Sequence, residues 1–355
     1  MKAISLFSGM GGDSLAIKKC NIELVAYSEK EKVFCETHDL NFENCQLLGN
    51  GDISKTTDDE ILKVKKKHKN IDLVFAGFPC QGFSNAGKKL PDDPRNTLFR
   101  EFLRVCKLVK PKYIIGENVK GLVSRKTADD KNYIDVIKSE FEKLHYKISY
   151  KVMKAHHYGI PQKRERLIIV GILDKSNKCK EFIFPLETPL PLTLIDIVNF
   201  DMTGAIKINK DDFDMTTIPE DCILTDMSNE EDENNPHPNL KLLAKDKDYT
   251  YKEKTYSRRL SFGKRDSSIH GEIIDIRNPA KTIICTYARQ PRLFVPLRNK
   301  NGYYLRCLLP DELKQIQGFP SDYKLAGNTT KQIIQIGNAV PPPLIEQVIN
   351  KLLIS

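Results

Sequence analysis

The reading of the fold turns on Ile71-Asp72-Leu73-Val74-Phe75-Ala76-Gly77-Phe78-Pro79-Cys80-Gln81-Gly82. The run up to Ala76 is apolar and rich in β-branched and aromatic residues, which reads as a buried strand. Gly77, Pro79 and Gly82 then punctuate a turn. A thiol, Cys80, is thereby set on a tight loop at the carboxyl end of a strand, where open α/β sheets place their ligands. A lone cysteine is more often a small buried residue than a reagent. Here Pro79 fixes the backbone ahead of the thiol, and the two glycines leave room for another molecule to come close. Whether the thiol does chemistry depends on the rest of the chain supplying a cofactor, an acid and an electrophile.

Upstream, Lys2 to Leu6 reads as a first strand, Phe7-Ser8-Gly9-Met10-Gly11-Gly12 as a turn, and Asp13 to Cys20 as a helix. Strand, glycine-rich turn and helix let a backbone approach a nucleotide-like cofactor, but the spacing is not GxGxxG and does not favour a dinucleotide. The second strand, Ile22 to Ser28, ends at Glu29, 18 residues after Gly11. That is close to the offset at which a carboxylate meets ribose hydroxyls. Glu29 also opens the charged run Glu29-Lys30-Glu31-Lys32, so a solvated acid is the alternative reading. A third strand near Gln46–Leu48 leads into Gly51-Asp52-Ile53, an acid beside an apolar residue able to cover a purine face. Thr57 to His68 is a lysine-rich helix with a solvated face.

Downstream, Ser84 to Arg95 is a polar loop, either a plain connection or a cover over substrate. Asn96 to Val109 reads as an amphipathic helix, and Tyr113 to Gly116 as a strand ending at Glu117-Asn118-Val119. In a doubly wound sheet of order 3-2-1-4-5, Cys80 and Glu117 end neighbouring strands and face one cleft, with Glu29 and Asp52 on the other side. After a helix (Tyr133 to Leu144) and a strand (Lys147 to Lys154), Gln162, Arg164 and Arg166 alternate. In extended chain they point the same way, suited to an anion or to polar base edges.

The chain has 355 residues, 40% hydrophobic and 29% charged, enough for one large domain and a smaller one. A formal net charge of +9 suits a polyanionic partner. Nine cysteines form no CxxC pair, which points to free thiols in a reducing compartment, with neither a disulfide frame nor a metal site. No apolar run reaches signal-peptide or membrane-spanning length, so we expect a cytoplasmic protein without a membrane partner, and a monomer. Residues 211–235 hold ten acids and no Lys or Arg, a run expected to face away from phosphates or to be mobile. Lys252 to Lys300 holds twelve Lys or Arg against four acids and is the candidate surface for a polyanionic partner.

The order of these motifs resembles bacterial DNA cytosine-5 methyltransferases of restriction-modification type. The matches are Phe7 to Gly12, Glu29, Gly51-Asp52-Ile53, Gly77 to Ser84, Glu117-Asn118-Val119, Gln162 to Gly171, Leu308 to Pro320, and Gln335-Ile336-Gly337-Asn338-Ala339-Val340-Pro341-Pro342. They span nearly the whole chain in the family's order. Asn96 departs from the family's more frequent Gly, and Lys30 stands where an aromatic residue often stacks on the cofactor.

The resemblance implies an α/β fold: a Rossmann-like S-adenosylmethionine-dependent methyltransferase domain (1–186, completed by 328–355) with a smaller target-recognition domain (187–327). It implies that Cys80 adds to carbon 6 of cytosine, Glu117 serves nitrogen 3, and Arg164 and Arg166 bind the base's carbonyl oxygen. The carbonyl of Phe78 would accept from the exocyclic amine, with Pro79 holding the loop and Asn118 and Gln162 beside it. The cofactor, S-adenosylmethionine, would meet Phe7, Gly9, Met10, Gly11 and Gly12 at its methionine end. Glu29 would take its ribose, Asp52 and Ile53 its adenine, with Pro79, Leu98, Asn338, Ala339 and Val340 completing the site. The partner would be double-stranded DNA, with a cognate restriction endonuclease acting separately. Arg258, Arg259, Arg289 and Arg292 are the candidate guanine readers, and Thr282 lies in a stretch resembling the family's recognition domains. An RNA-modifying relative is the second reading, although no Cys-Phe-Thr stretch of that group occurs. A non-catalytic DNA binder is the third.

Overall fold

The computed structural model describes residues 1–79, 98–127, 130–176, 178–188, 191–209, 215–238, 240, 248–251, 254–257, 260–264 and 271–354. The chain divides into two compact units: Met1–Leu190 with Asp322–Ala326 and Ala339–Ser355, and Pro191–Ser321 with Gly327–Asn338.

The first unit is built on β1 (Lys2–Leu6), β2 (Glu23–Ser28), β3 (Gln46–Leu47), β4 (Leu73–Ala76), β5 (Tyr113–Val119), β6 (Tyr146–Lys154), a short β7 (Gln162–Lys163) and β8 (Glu165–Leu173). Its seven-stranded sheet runs β3-β2-β1-β4-β5-β8-β6. The first five strands are parallel in the order the sequence predicts, and β8 enters antiparallel between β5 and β6. Inserting β8 there lets the chain return beside β5, so Val119 stands opposite Arg166.

Alternating side chains feed two cores, as the pleat requires. One face buries Ile4, Leu6, Val74, Ile114 and Ile169 against α3 (Asp58–His68), α4 (Phe99–Val109) and α5 (Tyr133–Glu142). The other buries Ala3, Phe75, Ile115 and Val170 against α1 (Gly12–Lys19) and the C-terminal helix Pro342–Leu353. A sheet covered on both faces leaves its strand ends as the place for a ligand. A further helix of this unit, α2 (Lys32–Asn41), follows β2 and carries the buried His38.

The second unit holds a six-stranded sheet. Its centre is an antiparallel pair, Leu293–Asn299 with Gly302–Cys307. Arg306, fully buried, donates to both carboxylate oxygens of Glu312 at 2.8 and 2.6 Å and to the carbonyl of Asn199 at 2.7 Å. Such a bidentate pair joins the sheet to helix Pro310–Ile316. Helix Thr329–Asn338 packs so tightly on the turn at Cys285 that a Cβ on Gly337 would lie 2.4 Å from the Cys285 nitrogen.

Four acids in the described part of the acidic run form ion pairs. Glu220 meets Arg298 at 2.8 Å, Asp221 meets Arg277 at 3.5 Å, Asp232 meets Lys207 at 3.2 Å, and Glu230 pairs with Lys300. Three of those cations belong to the basic stretch from Lys252 to Lys300. The two runs, opposite in sign along the sequence, thus partly neutralise each other within one unit. No helix among the described residues is long and apolar enough to cross a membrane.

Candidate active site

At the end of β1 the chain turns through Phe7 at φ 56° and Gly9 at φ 59°. The Ser8 amide donates to the carbonyl of Ser28 at the end of β2, at 2.9 Å, which ties the turn to the neighbouring strand. Gly11 has φ 90°, and a Cβ there would sit 2.5 Å from Phe42 and 2.9 Å from the Tyr323 hydroxyl, so only glycine fits. Beside Gly9 the space is open: a Cβ would meet nothing within 4 Å. Met10 is fully buried, and its carbonyl accepts the Tyr323 hydroxyl proton.

Beneath the turn lies a buried polar network. Ser8 and Ser14 exchange a hydroxyl hydrogen bond at 3.0 Å, Ser14 meets His38 Nε2 at 3.1 Å, and Ser5 donates to Asp13. The His38 ring stacks on Tyr27 with centroids 3.7 Å apart. Burial pushes His38 down to about 3 and Asp13 up to about 7, so the imidazole is neutral at physiological pH. Nothing in the local spacing announces this network, because His38 lies on a helix whose sequence reads as mostly polar.

Glu29 is placed by backbone. Its Oε2 accepts from the Gly9 amide and its Oε1 from the Glu31 amide, each at 2.8 Å. Burial raises its pKa against the pull of those amides. The carboxylate is therefore fixed next to the open side of the glycine turn, not dispersed in a solvated charge run. Gly51 packs on Glu29: a Cβ would lie 2.2 Å from its carbonyl oxygen. Asp52 Oδ1 accepts from the Ser54 amide at 3.2 Å and its hydroxyl at 2.7 Å, and these bonds lower the Asp52 pKa. Ile53 is 3% exposed and packs in the core under the sheet.

On the other side of β1, β4 runs out into Gly77, Phe78 and Pro79. Cys80, the loop from Ser84 to Arg95, Arg258 and Arg259 lie outside the described residues. The approach to Cys80 is described. A Cβ on Gly77 would lie 3.6 Å from the Phe7 carbonyl, 3.7 Å from Val340 Cγ2 and 3.8 Å from Glu117 Oε2. The glycine turn, the end of β4, the end of β5 and the returning C-terminal segment thus converge on one point.

Glu117, buried at the end of β5, accepts from Arg166 Nε at 2.8 Å. Arg166 also donates to the Glu165 carbonyl at 2.8 Å, and burial pushes its guanidinium below the usual value while Glu117 opposes that shift. Asn118 Nδ2 donates to the Phe78 carbonyl at 2.9 Å, and its Oδ1 accepts from the Val119 amide at 2.8 Å. The Phe78 carbonyl retains a second lone pair for another donor.

The alternation from Gln162 to Arg166 sends two side chains inward: Gln162 is 0% and Arg164 1% exposed. Arg164 Nη2 donates to the Ala339 carbonyl at 3.1 Å and so holds the C-terminal return, while Arg166 meets Glu117. Ala339 is buried and Val340 half-buried. Leu98 stands in αR conformation just before α4. In the second unit, Asn338 ends its helix exposed, Thr282 and Arg292 are half-buried, and Arg289 is exposed.

Comparison with known proteins fits this arrangement. The C-5 cytosine-specific DNA methylase family matches residues 1–353. The type II methyltransferase M1.HphI of Haemophilus parahaemolyticus is 31% identical over 362 residues, which is 99% of this chain and 86% of that protein. The type II methyltransferase M.HhaI of the same organism is 29% identical, covering 96% of this chain and 90% of that protein. Among solved structures, a DNMT2 variant from Spodoptera frugiperda superposes with a TM-score of 0.65 at 18% identity, over 99% of both chains, and shares the fold. The chain belongs to the C-5 cytosine-specific DNA methylase family.

Proposed function

We propose that this DNA cytosine-5 methyltransferase methylates a cytosine flipped out of duplex DNA, with Cys80 as the covalent nucleophile. Carbon 5 of cytosine is a poor nucleophile. A thiolate bonded to carbon 6 makes the ring an enamine, and a thiol is the side chain that supplies such a nucleophile near neutral pH. S-adenosylmethionine supplies an electrophilic methyl on sulfur. A base stacked in a duplex cannot reach a strand-end pocket, so it must leave the stack.

The single observation that carries this reading is the meeting of Glu117 with the turn that leads to Cys80. Oε1 of Glu117 is taken by Arg166, and Oε2 faces Gly77. That oxygen is the one available to serve nitrogen 3 as charge develops there. Arg166 offsets negative charge on the ring during addition, and Arg164 works beside it by holding Ala339. The Phe78 carbonyl, oriented by Asn118, accepts from the amine that distinguishes cytosine. Loss of the carbon 5 proton and release of Cys80 complete the cycle.

The cofactor's place is supported by the open space beside Gly9 and by Glu29, held beside it on two amides. Phe7 to Gly12 would bind the methionine end, Glu29 the ribose, and Asp52 with Ile53 the adenine. Leu98, Pro79, Asn338, Ala339 and Val340 would complete the site. Base edges would be read outside these motifs, with Arg258, Arg259, Arg289 and Arg292 as guanine readers and Thr282 beside them. A separate restriction endonuclease would cut the unmethylated site, and the enzyme would act as a monomer in the cytoplasm. Bisulfite sequencing of DNA from cells expressing the chain tests the reading. Cytosines protected at one recurring sequence are expected; unprotected DNA with active labelled transfer to RNA would overturn it.

A further inference from the structure

A single guanidinium ties together the two chain segments that flank the proposed adenosine site. Arg104 lies on α4, one turn after Glu101, whose Oε2 accepts from Nε at 3.0 Å and from Nη2 at 2.7 Å. That pair aims the planar fork off the helix. Its Nη1 donates to Asp58 Oδ1 at 2.6 Å. Its Nη2 also donates to the carbonyls of Ile53 at 2.9 Å and Thr56 at 3.1 Å. The Ile53 carbonyl opens the short turn Ile53–Lys55 and also accepts from the Thr56 amide at 3.2 Å, whereas Thr56 is the C-cap, the end at which carbonyls lack partners inside the turn. At the other end of the turn stands Asp52, the cap, whose Oδ2 has no hydrogen-bond partner among the described residues. Leu98 directly precedes α4.

We propose that Arg104 is a positioning residue for S-adenosylmethionine: it holds the turn after Asp52 against α4 and so sets the width of the adenosine site. The inference rests on the reading that Asp52, Ile53 and Leu98 meet the adenosine. A surface ion pair alone would contribute little. Two backbone carbonyls of the binding turn, reached by the same nitrogen, give this one a functional consequence.

Arg104→Met is the first test, with the full chain, duplex DNA and steady-state kinetics. The KM for S-adenosylmethionine is expected to rise roughly tenfold, as expected from losing about 1.4 kcal/mol of binding, while kcat at saturating cofactor and the KM for DNA change less than twofold. Arg104→Lys keeps the charge but not the fork, and should fall between wild type and Arg104→Met. Glu101→Gln, which leaves Arg104 in place but loosens its aim, should raise the KM less than Arg104→Met. A fall in melting temperature with an unchanged cofactor KM would overturn the proposal, as would a fall in kcat alone. If Arg104→Met does not fold, the Lys and Gln variants decide by the same KM criterion. Asp52→Ala separates the two levels. If it leaves cofactor affinity unchanged, the adenosine reading itself is wrong; if it weakens affinity and the Arg104 variants do not, only the positioning role fails.

Discussion

The ends of β2 and β5 each present one glutamate, and the two are held in opposite ways. Glu29 is gripped by two backbone amides, from the glycine turn and from the start of α2, and burial raises its pKa. Glu117 is gripped by one side chain, Arg166, donated from the strand inserted beside it. A carboxylate fixed by backbone cannot move without moving the turn, which suits an acid that holds a ligand in one place. A carboxylate fixed by a guanidinium can keep one oxygen paired while the other serves a reacting ring. In the proposed reading, one sheet thus carries a binding acid, Glu29, and a reacting acid, Glu117, on opposite sides of β1.

The largest effect should come from the nucleophile on the reacting side. Cys80→Ser should lose turnover altogether, because an alcohol is scarcely ionised at neutral pH, while calorimetry should give an unchanged affinity for S-adenosylhomocysteine. Normal turnover by that variant would remove Cys80 from the chemistry. Next in size is Glu117→Gln. It should lower kcat by about 10²–10⁴-fold, the usual range for a positioned acid, and leave cofactor affinity alone. If the cofactor affinity falls instead, the contrast between the two glutamates collapses.

Glu29→Ala should do the reverse. Cofactor binding should weaken by about 1.5–3 kcal/mol, the scale of a hydrogen bond to a charged group, with the chemical step at saturation little changed. The smallest effect on activity should belong to Asp13, beneath the glycine turn. Its pKa is raised to about 7 from the usual 3.8, so the neutral carboxyl is the form the fold prefers. Its contribution to stability is present below about pH 4 and is lost as the pH rises towards 7, where the folded protein must ionise a buried group. Asp13→Asn should flatten that part of the melting-temperature profile. An unchanged slope between pH 4 and 7 would show that Asp13 does not titrate in that window.

Much of the first unit is legible from its residues because each strand is a short apolar run closed by Gly, Pro or an acid. That punctuation marks the strand ends, and the doubly wound pattern supplies the order of the five parallel strands and the pairing of the β4 and β5 ends. The insertion of β8 between β5 and β6 does not, since hydrophobic alternation carries no information on strand direction. Arg104 and His38 are hidden for a related reason. Both sit on helices whose polar positions read as solvated, and only tertiary packing turns one towards backbone carbonyls and the other into a dry network. The second unit is less readable still. Its strands are short and interleaved with charges, and the acidic and basic runs look like separate surfaces until Arg277, Arg298 and Lys300 are seen pairing with Asp221, Glu220 and Glu230.

In the proposed mechanism a thiol at the end of β4 bonds to cytosine while the acid at the end of β5 serves the same ring. Duplex DNA carrying 5-fluorocytosine at the target position tests it most directly, because fluorine cannot leave as the carbon 5 proton does. With cofactor present, wild-type protein should form a complex with this DNA that survives denaturation, and peptide mapping should place the bond on Cys80. The Cys80→Ser variant should form none. A wild-type protein that methylates ordinary DNA yet never traps on the fluorinated duplex, or a trapped bond on any other residue, would contradict the account.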